Sequence, residues 1–185
     1  AFDRSGRPVW RHAYHVAASA VRAAAEEPTD SAEPVVTIGQ TVIVAPRDRG
    51  GIIGLSRGVP DRPLFETGPD GVRIVGATGD RVILAPRSFA DGDRLTAIAV
   101  ADGRPLDSEH STAVPAGPAV MAGGTILRPT RGAGRAGIAV TAIDPATLGP
   151  MHSALPIPGD WHDDSGEPVL HLAAGRDTLV VAGSR

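Results

Sequence analysis

The sequence has no cysteine, no lysine and no asparagine, and it has few aromatic residues. The lack of cysteine excludes disulfides, Cys-ligated zinc and thiol catalysis, and it leaves the redox compartment open. Lysine and asparagine have AT-rich codons, so a GC-rich genome is the simplest cause of their absence. All 18 basic residues are arginine, and the formal net charge of −3 argues against a general nucleic-acid binder. No apolar run approaches the ~18 residues that a membrane-spanning helix requires.

Glycine, proline and small aliphatic residues are abundant instead. The 185 residues include 23 glycines and 17 prolines, while aromatic residues make up 3%. A core with this composition must consist of Val, Ile, Leu and Ala. The frequent Gly and Pro exclude a helical bundle or coiled coil, and they favour many short strands joined by turns.

A pattern of strand-like residues recurs along the chain. Its copies are residues 38–47, 78–87, 122–129 and, more loosely, 174–182. Each copy joins an apolar run to a β-branched run through a glycine-containing turn, which is typical of a β-hairpin. A second pair of apolar runs follows each of the first three hairpins, at 52–55 with 63–65, 95–100 with 104–106, and 138–143 with 148–151.

Four short strands in a repeat of about 40 residues are typical of a β-propeller blade, which must stack on its neighbours to bury both faces. We therefore predict an all-β fold, a β-propeller-type array of four-stranded blades, with about four blades in this chain. The single domain is predicted to divide into an outer half-blade (1–14), an insert or linker (15–34), three blades (35–68, 72–109 and 116–152) and an inner half-blade (168–185). The two half-blades together would complete one blade and close the ring.

The first ten residues resemble a known repeat. Ala1, Asp3, Ser5, Gly6 and Trp10 follow the order found in PQQ-like (quinoprotein-like) β-propellers, with a spacer one residue shorter, and 142–149 repeats part of that order. The resemblance implies stacked blades. Enzymes of that family oxidise alcohols or sugars with a bound quinone and calcium, and the calcium is held partly by an asparagine, which this chain lacks.

Three features that could carry chemistry also have a simpler interpretation. Residues 132–137 match the glycine pattern of a dinucleotide site, but the run at 138–143 predicts a strand where that site needs a helix, so a loop is favoured. The polar cluster at 160–164 could hold a metal ion, yet it lacks ligand spacing and is better interpreted as a solvated loop. The six histidines are scattered, and His171 is predicted to be a hydrogen-bonded core residue.

The arginines follow the repeat. Arg47, Arg87, Arg131 and Arg185 each lie just after the second strand of a predicted blade, and Arg128 competes with Arg131 for its place. Equivalent positions of a propeller lie on one rim, where the connections between blades also bring acidic residues. These acids are Asp70, Glu109, Asp160, Asp163 and Asp164. Either the arginines form a ring that binds an anionic ligand, or they pair with these acids and lock blade to blade.

These patterns predict a non-catalytic module, a sensor or scaffold, that presents its loop face to a protein partner or a small anionic ligand. The predicted ligand-binding residues are Arg47, Arg87, Arg131 and Arg185. No cofactor, metal, nucleic acid or membrane span is expected, and a location outside the cytoplasm is favoured. The alternative is a subunit or fragment of a quinoprotein-type oxidoreductase. The ring is completed by this chain alone, by a second copy or by another polypeptide.

Overall fold

The computed structural model describes residues 35–46, 51–59, 62–67, 71–87, 94–109, 113–131, 137–159, 161, 170–174 and 179–182. These residues form β-strands and connecting turns, and no helix is present among them. The strands are β1 (Val36–Ile38), β2 (Thr41–Val44), β3 (Ile52–Ser56), β4 (Pro63–Thr67), β5 (Val72–Thr78), β6 (Arg81–Pro86), β7 (Thr96–Ala99), β8 (Pro105–Ser108), β9 (Val120–Ala122), β10 (Thr125–Arg131), β11 (Ile138–Ile143), β12 (Leu155–Ile157), β13 (His171–Ala174) and β14 (Leu179–Ala182).

The strands form sheets in chain order. Sheet I contains β1–β4, sheet II contains β5–β8, sheet III contains β9–β12, and sheet IV contains β13 and β14. Every neighbouring pair is antiparallel. Consecutive strands are therefore neighbours in space, as a meander of hairpins requires. The hairpins at the repeated segments are confirmed.

Glycine makes the first hairpin turns possible. Gly39 joins β1 to β2 with φ 56°, and Gly79 joins β5 to β6 with the same value. Two-residue hairpin loops need a positive φ that residues with a side chain rarely adopt. The positive φ expected at these turns is thus confirmed.

The sheets stack face to face in the order I, II, III, IV. Alternate residues of β6 point to opposite faces, so Val82 and Leu84 pack towards sheet I, whereas Ile83 and Ala85 pack towards sheet III. All four side chains are at most 1% exposed. A third cluster joins sheet III to Leu170 and Leu172 beside sheet IV.

The first strands of successive sheets also lie next to one another, β1 against β5, β5 against β9 and β9 against β13. Four-stranded sheets stacked in chain order, with their first strands innermost, constitute a β-propeller-type array. The predicted fold class is confirmed. The predicted half-blade 1–14 and the insert 15–34 lie outside the described residues.

The fourth strand of sheet III differs from the prediction. It is Leu155–Ile157, whereas the predicted run 148–151 begins in a turn and then makes only an isolated antiparallel bridge with β11, between Pro150 and Ile143. The Asp144 carboxylate accepts hydrogen bonds from the Ala146 amide (2.8 Å) and the Thr147 hydroxyl (3.2 Å), and Leu148 has φ 52°. A residue in the left-handed region cannot continue a strand. Pairing with β11 therefore resumes only after this turn.

Candidate functional site

One edge of the stacked sheets carries the predicted site. At this edge the strands β1, β5, β9 and β13 begin and β2, β6, β10 and β14 end. We call it the upper rim, and the opposite edge the lower rim. The connections from one sheet to the next start and finish at the upper rim, because every described fourth strand also ends there.

The upper rim includes both described members of the predicted arginine set. Arg87 directly follows β6, and Arg131 is the last residue of β10. Arg87 is half-buried and Arg131 is exposed. Arg47 and Arg185 lie outside the described residues. The ring of four arginines therefore stays a prediction.

Arg87 links two sheets. Its Nη2 donates a hydrogen bond to the backbone carbonyl of Ala45 at 3.0 Å, so a side chain from sheet II reaches the end of β2 in sheet I. Its amide also donates to the carbonyl of Gly71 at 2.7 Å, which extends the β5–β6 ladder. The backbone at this position is thus fixed by its own sheet while the side chain holds the neighbouring sheet.

Arg128 and Glu109 form a buried ion pair at the junction of sheets II and III. Arg128 lies in β10, and Glu109 follows β8. The guanidinium Nη1 and Nη2 each donate to one carboxylate oxygen at 2.5 Å. The side chains are 2% and 5% exposed. A bidentate pair with this burial joins the two sheets in one orientation.

The backbone supports this pair. The Glu109 amide donates to the carbonyl of Leu95 at 2.8 Å, which holds the chain end of sheet II against β7. Arg73 adds a second link between the same two sheets, because its Nη1 donates to the carbonyl of Ala119 at 3.0 Å, just before β9. The rim arginines were expected either to bind an anion or to pair with acids and link neighbouring blades. Arg128 follows the second interpretation.

A cavity of about 210 Å³ lies beside Arg87, at the upper rim of sheet II. Most of its wall is apolar, and its polar side chains come from the start of β7 and the residue two positions before it. The lining residues are Val72, Leu84, Ala85, Pro86, Arg94 and Thr96. Arg94 and Thr96 were not predicted from the sequence, because both lie outside the repeated hairpin segments that defined the arginine set.

The other sequence features are placed as follows. The glycine-rich segment 132–136 lies outside the described residues, but β11 follows it as the predicted strand. Of the cluster 160–164 only Trp161 is described, and its Nε1 donates to the carbonyl of Pro158 at 3.2 Å.

The prediction for His171 is wrong, since this residue is exposed. Leu170 and Leu172 are buried instead, and the strand alternation therefore turns His171 outward.

Two absences concern the described part of the chain only. No three His, Cys, Asp or Glu side chains come together there in a way that would suit a metal ion. No helix in that part has the length and apolar character needed to cross a membrane. Nothing in these residues matches the asparagine-containing calcium site that the resemblance implies.

No protein-family model matches the chain, and no curated protein sequence matches it. It is similar to the solved structure of BamB from Moraxella catarrhalis, with 15% identity over 68% of this chain and 35% of that one (TM-score 0.45). It is also similar to the Pan2 WD40 domain of Neurospora crassa, with 14% identity over 65% and 34% (TM-score 0.42). A europium-containing methanol dehydrogenase shares 13% identity over 74% and 26% (TM-score 0.45).

The chain thus spans about a third of the length of BamB and of the Pan2 domain, and about a quarter of that dehydrogenase. The identities are low and the TM-scores lie below 0.5. No activity, ligand or partner is therefore transferred from these proteins to this chain.

Proposed function

We propose that this chain is a non-catalytic binding module whose upper rim receives a protein partner or a small anionic ligand. The observation that carries the proposal is the position of Arg87 and Arg131 on one rim, at the ends of β6 and β10 in neighbouring sheets. Guanidinium groups provide a planar set of donors that suits carboxylates and phosphates. Arginines held on adjacent sheets would present such donors from two directions.

The sheets that carry these arginines are already held in one arrangement, so binding would require little structural change. The buried Arg128–Glu109 pair lies between the two sheets that carry Arg87 and Arg131. A receptor surface loses less conformational entropy on binding when its supports are already ordered. This arrangement favours recognition of a ligand that spans the junction, such as a multivalent anion or an acidic segment of a partner.

Titration with citrate and with glucose 6-phosphate tests the proposal. We expect both anions to bind the wild-type chain, and we expect the Arg131→Ala substitution to weaken binding by about tenfold, because a hydrogen bond to a charged group contributes about 1.5–3 kcal/mol. Isothermal calorimetry at low salt measures the affinity. Arg87→Ala is a second variant, accompanied by a denaturation curve because Arg87 also bonds Ala45.

Arg104→Ala is the matched control. Arg104 is an exposed arginine of the lower rim, between β7 and β8, and it lies 3.9 Å from Asp102. This substitution changes the net charge by the same amount as Arg131→Ala but leaves the upper rim intact. Affinities that fall equally in the control and in the rim variants would indicate a general charge effect and contradict the proposal.

A further inference from the structure

The cavity beside Arg87 is lined by residues that do not belong to the predicted arginine set. Val72 and Leu84 belong to the buried cluster between sheets I and II, and they form an apolar floor together with Pro86. Thr96 lies next to this floor, because it pairs with Leu84 across β6 and β7. Arg94 lines the same cavity from its exposed position before β7.

Arg94 differs from the arginines that hold the sheets together. Within the part of the chain that the structure describes, its guanidinium makes no hydrogen bond or ion pair, in contrast to Arg87 and Arg128. The Thr96 hydroxyl, which is half-buried, also has no hydrogen-bond partner among those residues. The cavity therefore combines an apolar floor with one cation and one hydroxyl that are unused by any group among the described residues.

We propose that this cavity binds a carboxylate with a short apolar tail. The Arg94 guanidinium would donate to the two carboxylate oxygens, the Thr96 hydroxyl would donate to one of them, and the tail would pack on Val72, Leu84 and Pro86. The volume of about 210 Å³ suits a tail of a few carbon atoms. A free branched-chain acid and the C-terminal residue of a polypeptide that ends in Leu or Val both present this chemistry.

Other ligand classes fit the lining less well. A metal ion or an organic cation would be repelled by Arg94 and would find no carboxylate among the described residues that line the cavity. Inorganic phosphate would use the arginine but leave the apolar part of the cavity unfilled. An uncharged apolar molecule would cover the floor but leave the guanidinium unused, so the acid gains from both parts of the site.

The test is a titration of the full chain with 3-methylbutanoate at neutral pH, followed by amide chemical shifts. We expect a dissociation constant in the millimolar range, which is usual for a ligand of this size. The shifts should concentrate at Leu84, Ala85 and Thr96. Acetate should bind more weakly, because each buried methylene contributes about a fourfold factor. The neutral isostere 3-methylbutanamide should bind at least about tenfold more weakly, since it lacks the charge.

Two substitutions separate the roles of the polar groups. Arg94→Gln should weaken 3-methylbutanoate at least about tenfold, and Thr96→Val, which keeps the side-chain shape, should weaken it about threefold to tenfold. Arg104→Gln on the lower rim is the matched control and should change nothing. Denaturation curves for all variants show whether the fold is intact, and Arg94 is exposed enough that its removal should not affect folding.

Three results would overturn the proposal: no binding by the wild-type chain, equal binding of the acid and its amide, or an unchanged affinity in Arg94→Gln. Peptides that end in Leu, with a free or an amidated terminus, distinguish a polypeptide terminus from a free acid. Citrate binding is tested at Arg131, and binding of the apolar acid is tested at Arg94. Either proposal can therefore be contradicted while the other stands.

Discussion

At the scale of single residues, the Arg128–Glu109 pair shows how much a junction between sheets depends on two side chains. The carboxylate and the guanidinium are both almost fully buried, and two hydrogen bonds join them. Removing one member leaves a charge without its partner in a low-dielectric interior. That loss is larger than the stabilisation that the intact pair provides relative to an apolar pair of similar volume.

We therefore predict that Arg128→Met lowers the free energy of unfolding by about 3–5 kcal/mol. The double variant Arg128→Met with Glu109→Leu should recover most of this loss, because it removes the isolated carboxylate as well. Urea denaturation of the wild type, both single variants and the double variant completes a double-mutant cycle. A double variant that is less stable than either single variant would contradict the prediction.

The exposed pair of Arg104 and Asp102 provides the comparison. Its charged atoms are 3.9 Å apart, and the side chains are 67% and 60% exposed. Solvent screens such a pair, so Arg104→Ala should leave the unfolding curve close to that of the wild type. A large loss of stability in Arg104→Ala would mean that removing an arginine charge destabilises the protein whether or not the side chain is buried.

At the scale of strands and sheets, one aromatic ring joins sheet I to sheet II. Phe65 of β4 lies across from Gly54 of β3 and packs against Gly103, which belongs to the turn between β7 and β8. A Cβ at Gly54 would overlap the ring, and one at Gly103 would lie 2.5 Å from it. The ring thus fits between two glycines of neighbouring sheets and cannot move away from one without meeting the other.

We predict that Gly54→Ala lowers the free energy of unfolding by about 1–3 kcal/mol, because the added methyl group overpacks this contact. Gly58→Ala is the matched control. It lies in an exposed turn where a Cβ would have its nearest neighbour, the Ser56 hydroxyl oxygen, at 3.9 Å. Thermal denaturation compares the two variants. Equal melting temperatures would show that the Phe65 ring shifts freely, which the structure does not allow for.

At the scale of the whole molecule, the described strands of sheet IV cover the neighbouring sheet III incompletely. Sheets I to III have four strands each, whereas sheet IV has two among the described residues. Leu155 and Met151, at the outer side of sheet III, are 66% and 46% exposed, and Val180 of β14 is 54% exposed. Two further strands beside β14 would cover these apolar side chains.

We propose that residues 1–14 provide these strands, as the predicted outer half-blade. Deleting them should lower the free energy of unfolding, by about 1.5–3 kcal/mol for each large apolar side chain that is exposed again. Light scattering on a sizing column measures the mass of the full chain, which we expect to be a monomer of 18.9 kDa. Adding the peptide 1–14 to the deleted chain should restore the stability.

A dimer of the full chain, or a deleted chain with unchanged stability, would contradict this proposal. Either result would mean that a second copy or another polypeptide completes the ring. The sites at the upper rim would then have to be searched between chains as well as within one. The fluorescence of Trp10 in a Trp161→Phe variant offers an independent check, because burial of the indole shifts its emission to shorter wavelengths.

The sequence was sufficient for the strands and their order, but less so for individual side chains. Glycine turns and β-branched runs act locally, which is why the hairpins around Gly39 and Gly79 could be predicted. The strand expected at 148–151 is reduced to the Pro150–Ile143 bridge. Asp144 organises a turn before it through its side chain, and such a turn depends on a geometry that apolar patterning does not reveal. His171 was placed in the core for a similar reason, since an apolar run does not show which face of the strand a neighbouring sheet covers.

What the sequence determined by itself is the repeat, the all-β class and the chain order of the sheets, because these follow from periodicity and turn chemistry within about 40 residues. Only the tertiary structure decided which polar groups meet. Arg128 and Glu109 are 19 positions apart, and Arg87 and Ala45 are 42 apart. The cavity at Arg94 is lined by residues of sheet II alone. The two contacts between sheets, by contrast, exist only once the sheets have stacked, because stacking brings side chains from separate repeats together.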